Sequence, residues 1–153
     1  MTIEYATGNI LDTDAAALVV PVNTRGVMGA GLAKQVADRW PAGERAYKSI
    51  CQSKALKPGE VWPYSNAGFG PALWYFATKD HWRDPSRLEW IDQGLTEVAH
   101  LALQWWREEG VAVPALGCGL GGLPWADVEP LIVKHLGPLD RRVVVYAPQA
   151  GNR

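Results

Sequence analysis

A chain of 153 residues is of single-domain length and long enough to bury a real core, so one domain over residues 1–153 is expected. With 48% hydrophobic and 20% charged residues the composition is that of a globular protein, and no apolar run is long enough for a membrane span. A formal net charge of −1 excludes steering of the whole molecule toward nucleic acid, so any such contact must rest on a local patch.

The cysteines, Cys51 and Cys118, lack metal spacing, and the histidines, His81, His100 and His135, are scattered. No metal site and no cofactor are expected. The N-terminus does not read as a signal peptide, and a reduced, cytoplasmic setting with no membrane contact follows as the default.

In chain order, Ile3–Thr7 reads as an edge strand followed by Gly8 and Asn9. Asn9 either accepts from a ligand or shapes a turn. Ala17–Val22 is apolar and β-branched, as a parallel strand covered on both faces should be. Asn23 ends it. Its amide suits either ribose hydroxyls or capping of the loop that follows. Gly26, Gly29 and Gly31 then leave backbone N–H groups bare, and a helix opens near Ala30, Gly31–Trp40, with its positive end toward the loop. That is an anion site or a plain tight turn.

Glu44–Lys54 reads as a second helix, Lys57-Pro58-Gly59 as a turn, Val61–Ser65 as a strand, Asn66–Pro71 as another turn and Leu73–Thr78 as a strong strand. Lys79 follows at the carboxyl end of that buried strand. Apolar walls there would lower its pKa and make it a usable acid, base or nucleophile, unless it simply points to water. His81, Trp82 and Arg83 offer an aromatic face and hydrogen-bonding groups suited to a base and a phosphate, unless Trp82 seals the core. Asp84-Pro85 has the form of an N-cap with proline at the first helical position. The apolar residues Leu88, Ile91, Leu95, Val98, Ala102 and Trp105 then predict an amphipathic helix of about six turns. Trp105 and Trp106 point in different directions on it, so at most one belongs to the core.

Val111–Ala115 is a short strand leading into Pro114–Pro124, a second loop with Gly117, Gly119, Gly121 and Gly122. A helix over Trp125–Leu136, stopped by Gly137-Pro138, and a strand over Arg142–Tyr146 complete the pattern. Residues Ala150–Arg153 read as a frayed tail. Strands alternate with helices, so the class is α/β with a largely parallel sheet.

Two strand–glycine-loop–helix units can clamp a diphosphate from both sides. Neither has the Gly-Lys-Ser/Thr of a P-loop or the spacing and acidic partner of a dinucleotide fingerprint, so a nucleotide diphosphate held by an unusual grip is expected. Asp12, Asp14, Asp80, Asp84 and Asp127 form no close pair of the two-acid glycosidase kind. Cys118 reads as a small wall residue of the second loop.

Gly8-Asn9-Ile10, Val22-Asn23-Thr24, Gly29-Ala30-Gly31-Leu32-Ala33 and Gly117-Cys118-Gly119-Leu120-Gly121-Gly122-Leu123 together resemble the macrodomain family in order, over almost the whole chain. The resemblance implies a three-layer α/β/α fold with a mixed, largely parallel central sheet. It also implies ADP-ribose binding by Asn9, Ile10, Thr24, Gly29, Ala30, Gly31, Leu32 and Gly117 to Leu123. Thr78-Lys79 with His81-Trp82-Arg83 is more specific and resembles the antitoxin macrodomains that remove ADP-ribose from thymidine in single-stranded DNA. That likeness implies catalysis by Lys79, with Asn23 holding the distal ribose. For His81, Trp82 and Arg83, the expectation is contact with DNA. The partners it implies are ADP-ribosylated single-stranded DNA and the cognate ADP-ribosyltransferase toxin, with the chain itself a monomer. Two positions depart from relatives: Asn9 stands where many macrodomains carry Asp, and Gly121 where protein-directed relatives carry Asp. A non-catalytic ADP-ribose reader, or a hydrolase of protein-linked ADP-ribose or O-acetyl-ADP-ribose, are the alternative readings.

Overall fold

The computed structural model describes residues 3–105 and 107–148. Trp106 and the tail Ala150–Arg153 lie outside the described residues. Six strands form one sheet in the order β1-β6-β5-β2-β4-β3. They are β1 (Ile3–Ala6), β2 (Ala17–Val22), β3 (Val61–Tyr64), β4 (Ala72–Ala77), β5 (Val111–Val113) and β6 (Val143–Tyr146). Every pairing is parallel except that of β3 with β4.

The two-residue period of β2 sorts the core into two halves. Leu18, Val20 and Val22 face one side, where Val36 and Ala37 of α1 (Gly31–Arg39) and Tyr47 and Cys51 of α2 (Pro41–Gln52) cover them. Ala17 and Val19 face the other side. There they meet Ile91, Leu95 and Val98 of α3 (Leu88–Gln104) and Val128, Ile132 and Leu136 of α4 (Trp125–Leu136). The result is the three-layer α/β/α arrangement, with helices covering both faces of the central strands. Gly94 lets α3 sit down on the sheet, since a Cβ there would lie 2.2 Å from the Phe76 ring.

Several boundaries differ from the sequence reading. α2 starts at Pro41 rather than Glu44, because Pro41 sits at a helical N1 position where its missing N–H costs nothing. Asp84-Pro85 does not cap α3. Arg87 is the cap residue, with no side-chain cap bond, and the 17-residue helix has about five turns rather than six. The reason is long-range. The Asp84 N–H closes a turn on the His81 carbonyl at 3.0 Å, and the Ser86 N–H is taken by the Gly121 carbonyl at 3.0 Å, so neither enters the helix. Leu88, predicted as part of the apolar stripe, is 37% exposed at the first turn, whereas Ile91, Leu95, Val98 and Ala102 are buried. Trp105 packs edge-on to Trp74 at 5.7 Å.

The topology positions a crevice. From β2 the chain runs through α1 and α2 to the β4–β3 side, whereas β5 lies on the other flank of β2 beside β6. β2 and β5 pair only through Ala17 and Leu18 against Val111 and Ala112, so their carboxyl ends part. Pro21, which has no N–H to donate, stands in the part of β2 that β5 no longer reaches. A switch point of this kind is where open α/β sheets bind ligands. The loops leaving β2 and β5 are the two glycine loops.

Candidate functional site

Between these loops lies a cleft of about 580 Å³, within the usual range for a small-molecule site. Its walls combine Pro21 to Asn23 and Val27 from the end of β2 and its loop, Gly29 to Ala33 at the start of α1, and Thr78, Lys79 and Trp82 after β4. The loop after β5 supplies Pro114, Ala115 and Gly117 to Gly121.

The first loop is shaped by Asn23, which is buried. Its Oδ1 accepts from the N–H groups of Arg25 at 2.9 Å and Val27 at 3.4 Å, and its Nδ2 donates to the Val27 carbonyl at 2.8 Å. From α2, the Tyr47 hydroxyl donates to the Asn23 carbonyl at 2.6 Å. Gly26 has φ +80° and rests on Cys51, where an added Cβ would meet the Cys51 Cβ at 3.4 Å. Ala30 caps α1 in extended conformation with no side-chain bond. Among the described residues the N–H groups of Gly29, Gly31 and Leu32 make no hydrogen bond, so the positive end of α1 presents open donors to the cleft.

The second loop closes on itself through the Leu123 N–H to the Gly117 carbonyl at 2.9 Å and the Gly122 N–H to the Gly119 carbonyl at 3.1 Å. The N–H groups of Gly119, Leu120 and Gly121 have no bond among the described residues. Gly121 is pinned. A Cβ there would lie 2.3 Å from the Ser86 Oγ and 2.5 Å from the Gly117 carbonyl oxygen, so the backbone admits no side chain. Burial pushes the Cys118 thiol up to about 11, which keeps it protonated and suits a wall rather than a nucleophile.

Lys79 is held from both sides. The Thr78 N–H donates to the Val22 carbonyl at 2.9 Å, and Asp80 is bound by Thr24 through the main chain at 3.0 Å and through the hydroxyl at 2.6 Å. Arg25 adds an ion pair to Asp80 at 3.3 Å. The Lys79 Nζ donates to the Trp82 carbonyl at 3.2 Å. Loss of water lowers the Lys79 pKa, and the Asp84 carboxylate opposes that shift. Trp82 stands at the mouth, 42% exposed. The His81 ring stacks on it at 5.0 Å and the Arg83 guanidinium carbon lies 4.5 Å from its ring centre. His81 Nδ1 accepts from the Arg83 N–H at 3.0 Å, which leaves Nε2 as the donor in the neutral ring.

Of the residues singled out in the sequence, the cleft gathers Asn23, Gly29 to Leu32, Lys79, Trp82 and Gly117 to Gly121. Asn9, Ile10, Thr24, His81, Arg83, Gly122 and Leu123 stand outside its walls. Asn9 Oδ1 accepts from the Leu11 N–H at 3.0 Å and starts a 3₁₀ turn, Ile10–Asp12, whose Ile10 is buried. Leu123 packs against the core. Val27 and Pro148 line the cleft unforeseen. Val27 sat in plain view between Gly26 and Gly29, whereas nothing local marks Pro148, which arrives from beyond β6. Among the described residues no group of three His, Cys, Asp or Glu gathers to hold a metal ion, and no helix is long and apolar enough to cross a membrane.

The site therefore offers two rows of N–H donors for an anion, with a half-buried lysine and an exposed indole in the same cleft. The Macro domain family model matches residues 19–132. A DNA ADP-ribosyl glycohydrolase of Mycobacterium tuberculosis is 39% identical over 154 residues, covering 99% of this chain and 44% of that protein. The chain spans about two-fifths of the length of the DNA ADP-ribosyl glycohydrolases it matches. Among solved structures, the macrodomain of Mycobacterium tuberculosis DarG superposes with a TM-score of 0.91 at 39% identity, covering 96% of this chain and 98% of that one. Thermosipho africanus DarTG in complex with ADP-ribose gives a TM-score of 0.85 at 32% identity, covering 94% of this chain and 41% of that one.

Proposed function

The chain belongs to the Macro domain family, and from that premise we propose that it is a DNA ADP-ribosyl glycohydrolase, removing ADP-ribose from thymidine in single-stranded DNA. The observation that carries this reading is the placement of Lys79. It shares one cleft with two rows of open N–H donors and is fastened there by the Thr24–Asp80 bonds. A protein that only held ADP-ribose would have no use for a half-buried lysine beside those donors.

The diphosphate lies between the α1 N-terminus and the Gly119–Gly121 N–H groups. Asn23 and its loop border the distal ribose. The bond broken joins the anomeric carbon to the thymine ring nitrogen, through a transition state with positive charge on the sugar that the diphosphate offsets. A water oxygen joins the anomeric carbon. The thymine nitrogen leaves with a proton, which Lys79 supplies as an ammonium, and the proton shed by the water restores that ammonium; in the other route neutral Lys79 attacks the same carbon, the departing thymine takes up the amine's proton, and water then hydrolyses the lysine adduct. Trp82, with His81 and Arg83 against it, receives the DNA side of the substrate, already unstacked and cheap to extrude.

The close relatives support the DNA linkage. So does Gly121, whose lack of room for a side chain bars a carboxylate from the second loop. In this reading the chain acts as a monomer and reverses the mark left by a cognate ADP-ribosyltransferase toxin. The test is to incubate it separately with an ADP-ribosylated DNA oligonucleotide, a glutamate-modified protein and O-acetyl-ADP-ribose. Free ADP-ribose released from the oligonucleotide supports the proposal, and release only from either of the others refutes it.

A further inference from the structure

The strip that joins the lysine loop to α3 is exposed at every position from Trp82 to Glu89 except Ser86. Its path is fixed at both ends of the cleft mouth. Trp82 lines the cleft, and the Ser86 N–H donates to the Gly121 carbonyl at 3.0 Å under the second glycine loop. Two arginines on this strip sit over tryptophans. The Arg83 guanidinium carbon is 4.5 Å from the Trp82 ring centre, and that of Arg87 is 4.9 Å from the Trp90 ring centre. The other two Arg–Trp pairs among the described residues are Arg39 on Trp40 and Arg107 on Trp105. These lie at the carboxyl ends of α1 and α3, outside the strip.

A guanidinium over an indole is restrained by the cation–π contact and keeps its outer side for another partner. Unstacked bases stack on arginine planes as well as on aromatic rings, and the arginine N–H groups reach phosphate. The Arg87 side chain is 64% exposed. Its ion pair to Glu89 at 3.4 Å joins two solvated groups and is weak enough to yield to a phosphate. Arg87 lies four positions after Arg83, a reach of at most ~14 Å. A stacked strand at ~3.4 Å per nucleotide covers that with about four nucleotides.

We propose that Arg87 on Trp90 is a second stacking platform, which takes a nucleotide flanking the modified thymidine of a single-stranded DNA substrate. The proposal rests on the reading of the cleft as a DNA ADP-ribosyl glycohydrolase and extends its substrate from one modified residue to a short strand. The experiment compares ADP-ribose release from two substrates, an ADP-ribosylated thymidine dinucleotide and a twelve-nucleotide single strand with one modified thymidine at its centre. The readout is the ratio of kcat/KM, long over short. In the unaltered protein the ratio is expected to exceed one by about tenfold, the scale of one base stack. Arg87→Ala and Trp90→Ala should bring it close to one. Arg87→Lys should lose most of it, because charge is kept and the plane is not. Trp90→Phe should keep part of it and guards against a merely structural loss. A ratio near one in the unaltered protein, or a ratio that Arg87→Ala leaves intact, overturns the platform while leaving the activity standing. No release from either substrate overturns both.

Discussion

The Thr24 hydroxyl donates to the Asp80 carboxylate at 2.6 Å, across 56 positions of sequence, and ties the loop that shapes the anion site to the loop that carries Lys79. The same two residues also join through the main chain at 3.0 Å. The donors and the lysine are thereby parts of one frame, and the position of Lys79 depends on residues that stand outside the cleft walls.

Thr24→Val should loosen that frame. The bond is charge-assisted, but the Asp80 side chain is 44% exposed, so solvent screening reduces its worth to about 1 kcal/mol and a Tm drop of about 2–4 °C. The Thr24 hydroxyl, with Arg25 behind it, holds the Asp80 carboxyl below its ordinary value. A group whose folded pKa is lowered contributes its full stability above the unfolded value and loses it as pH falls through the folded one. The Tm gap between Thr24→Val and the unaltered protein should therefore be constant from pH 5 to 8 and close below about pH 3.9. A gap that persists at pH 2 would assign the loss to packing instead.

Gly121→Ala tests the claim that the second loop has no room for a side chain. The clash with the Gly117 carbonyl is with backbone and cannot be relieved by a rotamer, so a cost of about 1–3 kcal/mol and weaker ADP-ribose binding are expected. Adding Ser86→Gly should not restore either. Calorimetric binding of ADP-ribose with a thermal melt reads both, and unimpaired binding would show that the loop yields easily.

Much of the frame was legible in the sequence. β2 over Ala17–Val22 and α4 over Trp125–Leu136 match their predicted bounds, because an unbroken β-branched run and a Gly-Pro stop are local signals. The two glycine loops were legible for the same reason. Asp84-Pro85 misled because its N-cap form is local, whereas the partner that decides the path there is Gly121, more than thirty positions on. Thr24 stood in a recognised motif, yet its bond to Asp80 has no sequence signature. Asn9 had two readings, and the structure shows its Oδ1 accepting from the Leu11 N–H in a turn.

Tyr47→Phe and Asn23→Ala probe the first loop from below and within. Tyr47 donates to the Asn23 carbonyl at 2.6 Å in buried surroundings, and its loss leaves that oxygen unmet, at a cost of about 1–3 kcal/mol. Both variants should weaken ADP-ribose binding, and the double variant should be less impaired than the sum of the two, because they act on one loop. Strict additivity in a double-mutant cycle would separate their roles.

Trp82→Ala should raise KM for modified DNA by roughly 5- to 150-fold, the worth of one base stack, and affect free ADP-ribose far less. Equal losses for the two ligands would make Trp82 a wall of the cleft only.

The pH profile separates the two roles open to Lys79. Burial has lowered its pKa, so its titration falls below that of a free lysine near 10.5. If the ammonium delivers the proton, kcat falls as pH rises through that lowered value. A rise in kcat over the same range would assign attack by the neutral amine.

The most direct test of the account is single-turnover release of ADP-ribose from a modified single-stranded oligonucleotide by Lys79→Ala. The predicted result is a rate lower by roughly 10²- to 10⁴-fold, with affinity for free ADP-ribose retained, since the donors that hold the diphosphate lie on other loops. Release at the unaltered rate would contradict it.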